Sequence, residues 1–206
     1  MANPTITQLA ADLAAGRITS RQLTEEALAR IADPKGEGSR AFVKVWKDQA
    51  LAAADASDGL RKAGLVPSPL AGIPVSIKNL CDVAGETTLS GSTALDDAKP
   101  ATADAPVVAR LRAAGAVIVG STNMSEFAFS GVGFNPHYGT PGNPADRTRV
   151  PGGSSAGAAV SVADRMAVAA LGTGTGGSVR IPAAGCGLVG FKPTARRVPI
   201  DGVIPL

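Results

Sequence analysis

Between Pro151 and Thr194 the chain reads PGGSSAGAAVSVADRMAVAALGTGTGGSVRIPAAGCGLVGFKPT, and two Ser-Gly turns frame this run. Gly152-Gly153-Ser154-Ser155 opens an Ala-rich segment of helical character, and Gly176-Gly177-Ser178 opens a second helix after the apolar run Met166–Leu171. Each serine is thereby expected near a helix N-terminus, where free N–H groups and the helix dipole favour negative charge. The stretch reads as the place for an oxyanion, with the rest of the chain as its support.

The chain in order has an α/β rhythm. Residues 5–16 and 19–32 are expected as helices, the second capped by Thr19 or Ser20, with Leu23, Ala27, Leu28 and Ile31 on one face and Glu25 and Glu26 on the solvated side. A strand is expected over 41–45, a helix over 48–62 ending at Gly64, and a strand over 72–78 that terminates at Lys78. A helix over 102–115 with Val107, Val108 and Leu111 on one face follows, then a short buried strand over 116–119 and a helical turn over 120–127. Residues 129–149 read as a long loop rich in glycine and proline, of the kind that is functional or disordered. Residues 1–65 are expected as a helical segment packed on a core formed by 66–206, the whole being one domain. The apolar end, Asp201 to Leu206, reads as a break inside a fold.

Composition excludes several classes of function. Aromatic residues make up 3% of the chain, too few for a base-stacking platform, and a net charge of +3 from dispersed Lys and Arg gives little reason to expect a nucleic-acid or membrane partner. Cys81 and Cys186 lie far apart without metal-ligand spacing, so no metal is expected and both are expected as buried free thiols. The first residues lack the basic and apolar regions of a signal peptide, and a cytoplasmic location is the default expectation.

Two short patterns within the opening stretch fail on inspection. Gly172-Thr-Gly174-Thr-Gly-Gly177 fits G-x-G-x-x-G, but the region where a dinucleotide site needs an acidic residue is Leu188–Thr194, which is basic. Gly153-Ser-Ser155-Ala-Gly157 fits the nucleophile elbow, but the only histidine, His137, lies upstream and no apolar strand leads into the turn. A third reading joins both serines to Lys78, since an unprotonated lysine can activate a hydroxyl once burial lowers its pKa.

Gly-Gly-Ser154-Ser155-x-Gly, Leu-Gly-Thr-x-Thr-Gly-Gly-Ser178-Val-Arg-Ile-Pro and Gly187-Leu-Val-Gly-Phe-Lys-Pro-Thr194 together resemble the amidase signature family, and Gly72–Asn79 and Thr122–Phe127 are similar to its flanking segments. The resemblance implies an amidase-signature fold, a mixed twisted sheet covered by helices on both faces, of which this chain holds the N-terminal half. It implies a Ser-Ser-Lys triad of Ser178 as nucleophile, Ser154 as bridging serine behind a cis Gly153–Ser154 peptide, and Lys78 as base. The N–H groups of Thr175, Gly176 and Gly177 are then the oxyanion hole, Ala128, Phe129 and Ser130 line the substrate, and Ser155 and Arg180 are supporting residues, the arginine in a structural ion pair. The implied reaction is hydrolysis of a small carboxylic amide or related C–N bond without metal or cofactor. The remainder of the same fold is needed, and a homodimer is allowed. Two alternatives stay open: the glutaminase subunit of a tRNA-dependent amidotransferase, and a catalytically impaired binding or assembly protein. One position departs from the family's pattern, Gly174 standing where the family usually has Asp.

Overall fold

The computed structural model describes residues 3–205, so Leu206 and the first two positions lie outside the described residues. Helices α1 (Ile6–Ala14) and α2 (Ser20–Ala32) open the chain. Each starts with a capping box: the Thr5 hydroxyl accepts from Gln8 N–H, and the Thr19 hydroxyl from Gln22 N–H, while the glutamine side chain returns to the threonine backbone. Thr19 is therefore the cap of α2, and Ser20 instead donates its hydroxyl to the Gly72 carbonyl. Glu25 and Glu26 sit on the outer face, paired with Arg21 and Arg30.

A one-turn helix α3 (Gly38–Ala41) leads into strand β1 (Phe42–Val45), followed by helix α4 (Lys47–Lys62) and strand β2 (Pro74–Lys78). Helix α5 (Pro106–Ala113) begins four residues later than the sequence suggests, because Pro106 at its first position fixes a helical start. Asp104, left outside the helix, accepts from Ala84 N–H and pairs with Arg112. Strand β3 (Val117–Thr122) runs through Gly120, Ser121 and Thr122, where a helical turn was expected. Those residues are paired to β1 on one side and β2 on the other, and two ladders outweigh the local turn signal of Gly-Ser-Thr-Asn. Only Glu126–Ala128 forms a short 3₁₀ turn. Helix α6 (Ala156–Ala163), strand β4 (Ala169–Leu171) and helix α7 (Arg180–Gly185) complete the fold.

The four strands form one mixed sheet in the order β1-β3-β2-β4, with β1 antiparallel to β3 and the other neighbours parallel. Helices flank it. Alternation along β2 and β3 divides the core: Val75, Ile77 and Ile118 pack with Val108 of α5, whereas Val117 and Val119 pack with Val160 of α6 and Ala50 and Ala54 of α4. Every residue of β2 is buried, as expected for a parallel strand covered on both sides. Ser76 points toward α6 and shares a hydrogen bond of 2.9 Å with Ser161, so its hydroxyl is satisfied inside the core. Both cysteines are free; Cys81 is buried, but Cys186 is only half-buried, because α7 lies at the margin of the described fold.

Candidate active site

The three parallel strands end at the same edge of the sheet, and the loops leaving them converge there. In open α/β sheets this carboxyl edge is where ligands bind. Lys78 is the last residue of β2, Asn123 follows β3, and Thr173 lies two residues beyond β4. The turn that carries Ser154 and Ser155 enters α6 from the same side, with Ser155 as N-cap.

Lys78 is fully buried, and its Nζ donates to Ser154 Oγ at 2.6 Å and to Thr173 Oγ1 at 2.8 Å. No carboxylate lies in ion-pair range of it among the described residues. Burial therefore dominates and pushes its pKa down from 10.5 to about 7. An amine with such a pKa can hold or release a proton near neutrality. Cys81 is shifted the opposite way, to about 12, again by burial, and stays a neutral thiol.

The Gly153–Ser154 peptide is cis. Its surroundings demand glycine on the N-terminal side: a Cβ at Gly153 would lie 2.5 Å from Gly133 N and 2.8 Å from Ser125 Oγ. Gly153 N–H donates to Gly131 O, and Ser154 O accepts from Ser125 N–H at 3.0 Å, so Ser154 is held from the 125–133 segment. Ser125 Oγ is buried without a hydrogen-bond partner beside this peptide.

Ser178 lies in the loop between β4 and α7, and its carbonyl accepts from Ser155 N–H at 3.3 Å. The turns of the two serines, 24 residues apart, are thus side by side. Among the described residues the Ser178 hydroxyl makes no hydrogen bond, so the Lys78–Ser154 link is formed and the Ser154–Ser178 link is not. The N–H groups of Thr175, Gly176, Gly177 and Ser178 meet no protein acceptor among the described residues. Gly176 has open space where a side chain would be, and a Cβ at Gly177 would press within 2.6 Å of Ile181. Unoccupied donors on side-chain-free backbone can accept a developing oxyanion.

The supporting residues fall differently. Ser155 Oγ joins the loop after β4, donating to Thr173 O and accepting from Thr173 N–H, both at 3.4 Å. Arg180 makes no ion pair among the described residues, against expectation; its Nη2 donates instead to Gly176 O at 2.5 Å, because no carboxylate faces the start of α7. Ala128 is buried, whereas Phe129 and Ser130 are exposed, and among the described residues neither hydrogen-bonds Lys78, Ser154 or Ser178. Phe127 and Ala128 both have left-handed backbone, φ 47° and 60°, which costs a non-glycine residue roughly 1–3 kcal/mol.

Thr173 is the site residue that the sequence motifs do not single out. It stands inside the G-x-G-x-x-G pattern as one more loop position, although its place just past a strand end and five residues before Ser178 is a usable signal. A cavity of about 680 Å³ adjoins this loop, lined by Cys81, Val107, Thr173, Gly174, Thr175 and Lys192 among others. Among the described residues no group of three or more His, Cys, Asp or Glu is placed to hold a metal ion, and no helix is long and apolar enough to cross a membrane.

The molecule is thus an α/β protein with a mixed sheet whose carboxyl edge holds a buried lysine hydrogen-bonded to a serine, beside a glycine-rich loop of N–H groups without a protein acceptor among the described residues. The chain belongs to the amidase signature family: the family model described as Amidase matches residues 22–206. It is 45% identical over 193 residues to AtzE, a 1-carboxybiuret hydrolase subunit of Pseudomonas sp. (strain ADP), covering 94% of this chain and 42% of that protein. It is 46% identical over 204 residues to a glutamyl-tRNA(Gln) amidotransferase subunit of Chromohalobacter salexigens, covering 99% of this chain and 41% of that protein. Native peptide amidase from Stenotrophomonas maltophilia superposes with a TM-score of 0.91 at 42% identity, covering 99% of this chain and 43% of that structure. The chain therefore spans about two-fifths of the length of the relatives it matches.

Proposed function

We propose that this chain supplies the base, bridging serine and nucleophile of an enzyme that hydrolyses a small carboxylic amide or related C–N bond. The observation that carries the reading is the 2.6 Å contact between Ser154 Oγ and a fully buried Lys78 whose pKa lies near 7. Neutral Lys78 takes a proton from Ser154, Ser154 takes one from Ser178, and Ser178 Oγ bonds to the amide carbon. The oxyanion is met by the N–H groups of Thr175, Gly176 and Gly177. On collapse the C–N bond breaks, the proton returns through Ser154 to the leaving nitrogen, and ammonia or an amine departs. Water then attacks the acyl-enzyme by the same relay and releases the acid. Among the described residues the Ser178 hydroxyl has no hydrogen-bond partner that would compete with Ser154 for it.

In this reading the substrate is a small neutral amide, Ala128–Ser130 lies on its side of the site, and the remaining part of the fold closes the pocket. A cytoplasmic setting and a homodimer belong to the same reading. Likeness to an amidotransferase component supports a second reading, in which glutamine is the amide and ammonia passes to a partner. Gly174 is the observation behind a third, a protein impaired in catalysis.

The test is ammonia release by the full-length protein from aliphatic, aryl and urea-type amides and from glutamine, together with labelling of Ser178 by a fluorophosphonate. Turnover of simple amides without preference for glutamine, and labelling lost in Ser178→Ala, support the first reading. Glutamine preference that needs partner proteins moves it to the second. Absence of both labelling and turnover would sink the hydrolase reading in favour of the third.

A further inference from the structure

The turn Ser125–Ser130 is held in an uncommon conformation by a side chain outside the serine–lysine contact. Phe127 and Ala128 are consecutive non-glycine residues with left-handed backbone, and Ser90, which faces them, also has φ 52°. Such geometry persists only where the surroundings determine it. The main chain supplies part of the hold: Phe127 N–H donates to Ser90 O and Ala128 N–H to Ser125 O, both at 2.9 Å.

Glu126 supplies the rest. Its Oε1 accepts from Ser92 Oγ at 2.7 Å and from His137 Nε2 at 2.9 Å. A carboxylate has no proton to give here, so Nε2 carries the hydrogen, and Nδ1, 3.4 Å from Thr93 Oγ1, is left to face that hydroxyl. Both hydrogen bonds favour the ionised acid, and the pKa of Glu126 is lowered, by Ser92 first and then His137. Ser92 is fully buried, and His137 is tied down in turn by its own N–H to Asn135 Oδ1. One carboxylate thus joins three stretches of chain around residues 92, 126 and 137. The turn it secures touches Ser154 through Ser125 N–H at one end and carries Ala128, Phe129 and Ser130 at the other.

We propose that Glu126 is a positioning residue: by clamping Ser92 and His137 it fixes the turn Ser125–Ser130 and so sets how the substrate is held beside Ser154, without touching the reacting atoms. The proposal rests on the amide-hydrolase reading above. It is tested in the full-length protein with Glu126→Ala, which removes both hydrogen bonds, and Glu126→Gln, whose carbonyl oxygen can still accept both. In Glu126→Ala, KM for a simple amide rises about tenfold while kcat and the rate of fluorophosphonate labelling of Ser178 stay within about threefold. In Glu126→Gln most of that loss is recovered. Hydrogen exchange at the amides of Phe127, Ala128 and Phe129 becomes at least about tenfold faster in the alanine variant.

Unchanged KM and unchanged exchange in Glu126→Ala would overturn the proposal. An equal fall in kcat and labelling would overturn it too, because the residue would then act on the nucleophile or on the fold as a whole. Should the wild-type protein turn over no amide, the hydrolase reading fails separately. The exchange comparison then decides: faster exchange confined to the turn upholds the clamp, and its absence removes it.

Discussion

Lys78 is enclosed completely, yet among the described residues its side chain meets only two polar partners, both hydroxyls, and that combination makes it responsive near neutral pH. Only its neutral form can take the proton of Ser154. Activity is therefore expected to rise with pH along a limb centred near 7, read from kcat/KM between pH 5.5 and 9. Lys78→Ala should remove that limb and slow Ser178 labelling about a hundredfold or more, the usual scale of a lost general base. Thr173→Val removes one acceptor from Nζ. The ammonium loses more from this than the neutral amine, so the limb should shift to lower pH while kcat/KM falls about tenfold. A limb that stays in place would leave Thr173 only a packing role. At this scale the sequence is partly legible. The serines announce themselves through glycine turns, but Lys78 cannot be told from any lysine ending a strand until the ordered motif blocks are read together. Glu126, Ser92 and His137 are not legible as a group, because nothing in local spacing brings three distant stretches to one carboxylate.

Two elements carry the serines, and their glycines make different demands. Gly157 in α6 lies against the end of α3 and the residue after β3: a Cβ there would stand 2.2 Å from Ala41 O and 2.8 Å from the Asn123 backbone. Because those contacts are main chain and cannot swing away, Gly157→Ala should cost at least about 1–3 kcal/mol, measured by urea unfolding. Gly174 is unlike it. Its nearest contacts to a built Cβ are Val179 Cγ2 at 3.5 Å and Lys192 Cγ at 3.6 Å, ordinary packing distances. Gly174→Asp should be accommodated and leave ammonia release equal or higher; a sharp fall would show a loop built around glycine. The strand and helix periods locate β2, α2 and α4 nearly to their ends. They fail at Gly120–Thr122 because local turn signals cannot see that a strand has a ladder on each side, and at the start of α5 because periodicity alone ignores the claim of Pro106 on the first helical position.

Over the whole molecule, buried titrating groups link stability to pH. The folded pKa of Lys78, about 7, lies below its ordinary 10.5, so in that window the unfolded chain binds the extra proton and stability rises with pH. Cys81, raised from 9.0 to about 12, works the other way above pH 9, where only the unfolded chain gives up its proton. Urea midpoints relative to those of Lys78→Met, in which the contribution of Cys81 cancels, should climb from pH 7 until the unfolded lysine itself loses its proton near 10.5 and level off above that; a flat difference would mean that Lys78 is not desolvated. The α/β class is readable from the rhythm of elements, while the antiparallel placement of β1 beside β3 is not, since it depends on which edge remains open once the parallel strands have paired. That placement has a consequence in time as well as space. Lys78 sits at the end of β2, locked between two neighbours, whereas Ser178 rides a loop among the less enclosed parts of the chain. Gentle warming should release the loop first, so that the proposed amide hydrolysis is lost, and regained on cooling, while far-UV circular dichroism of the sheet stays unchanged.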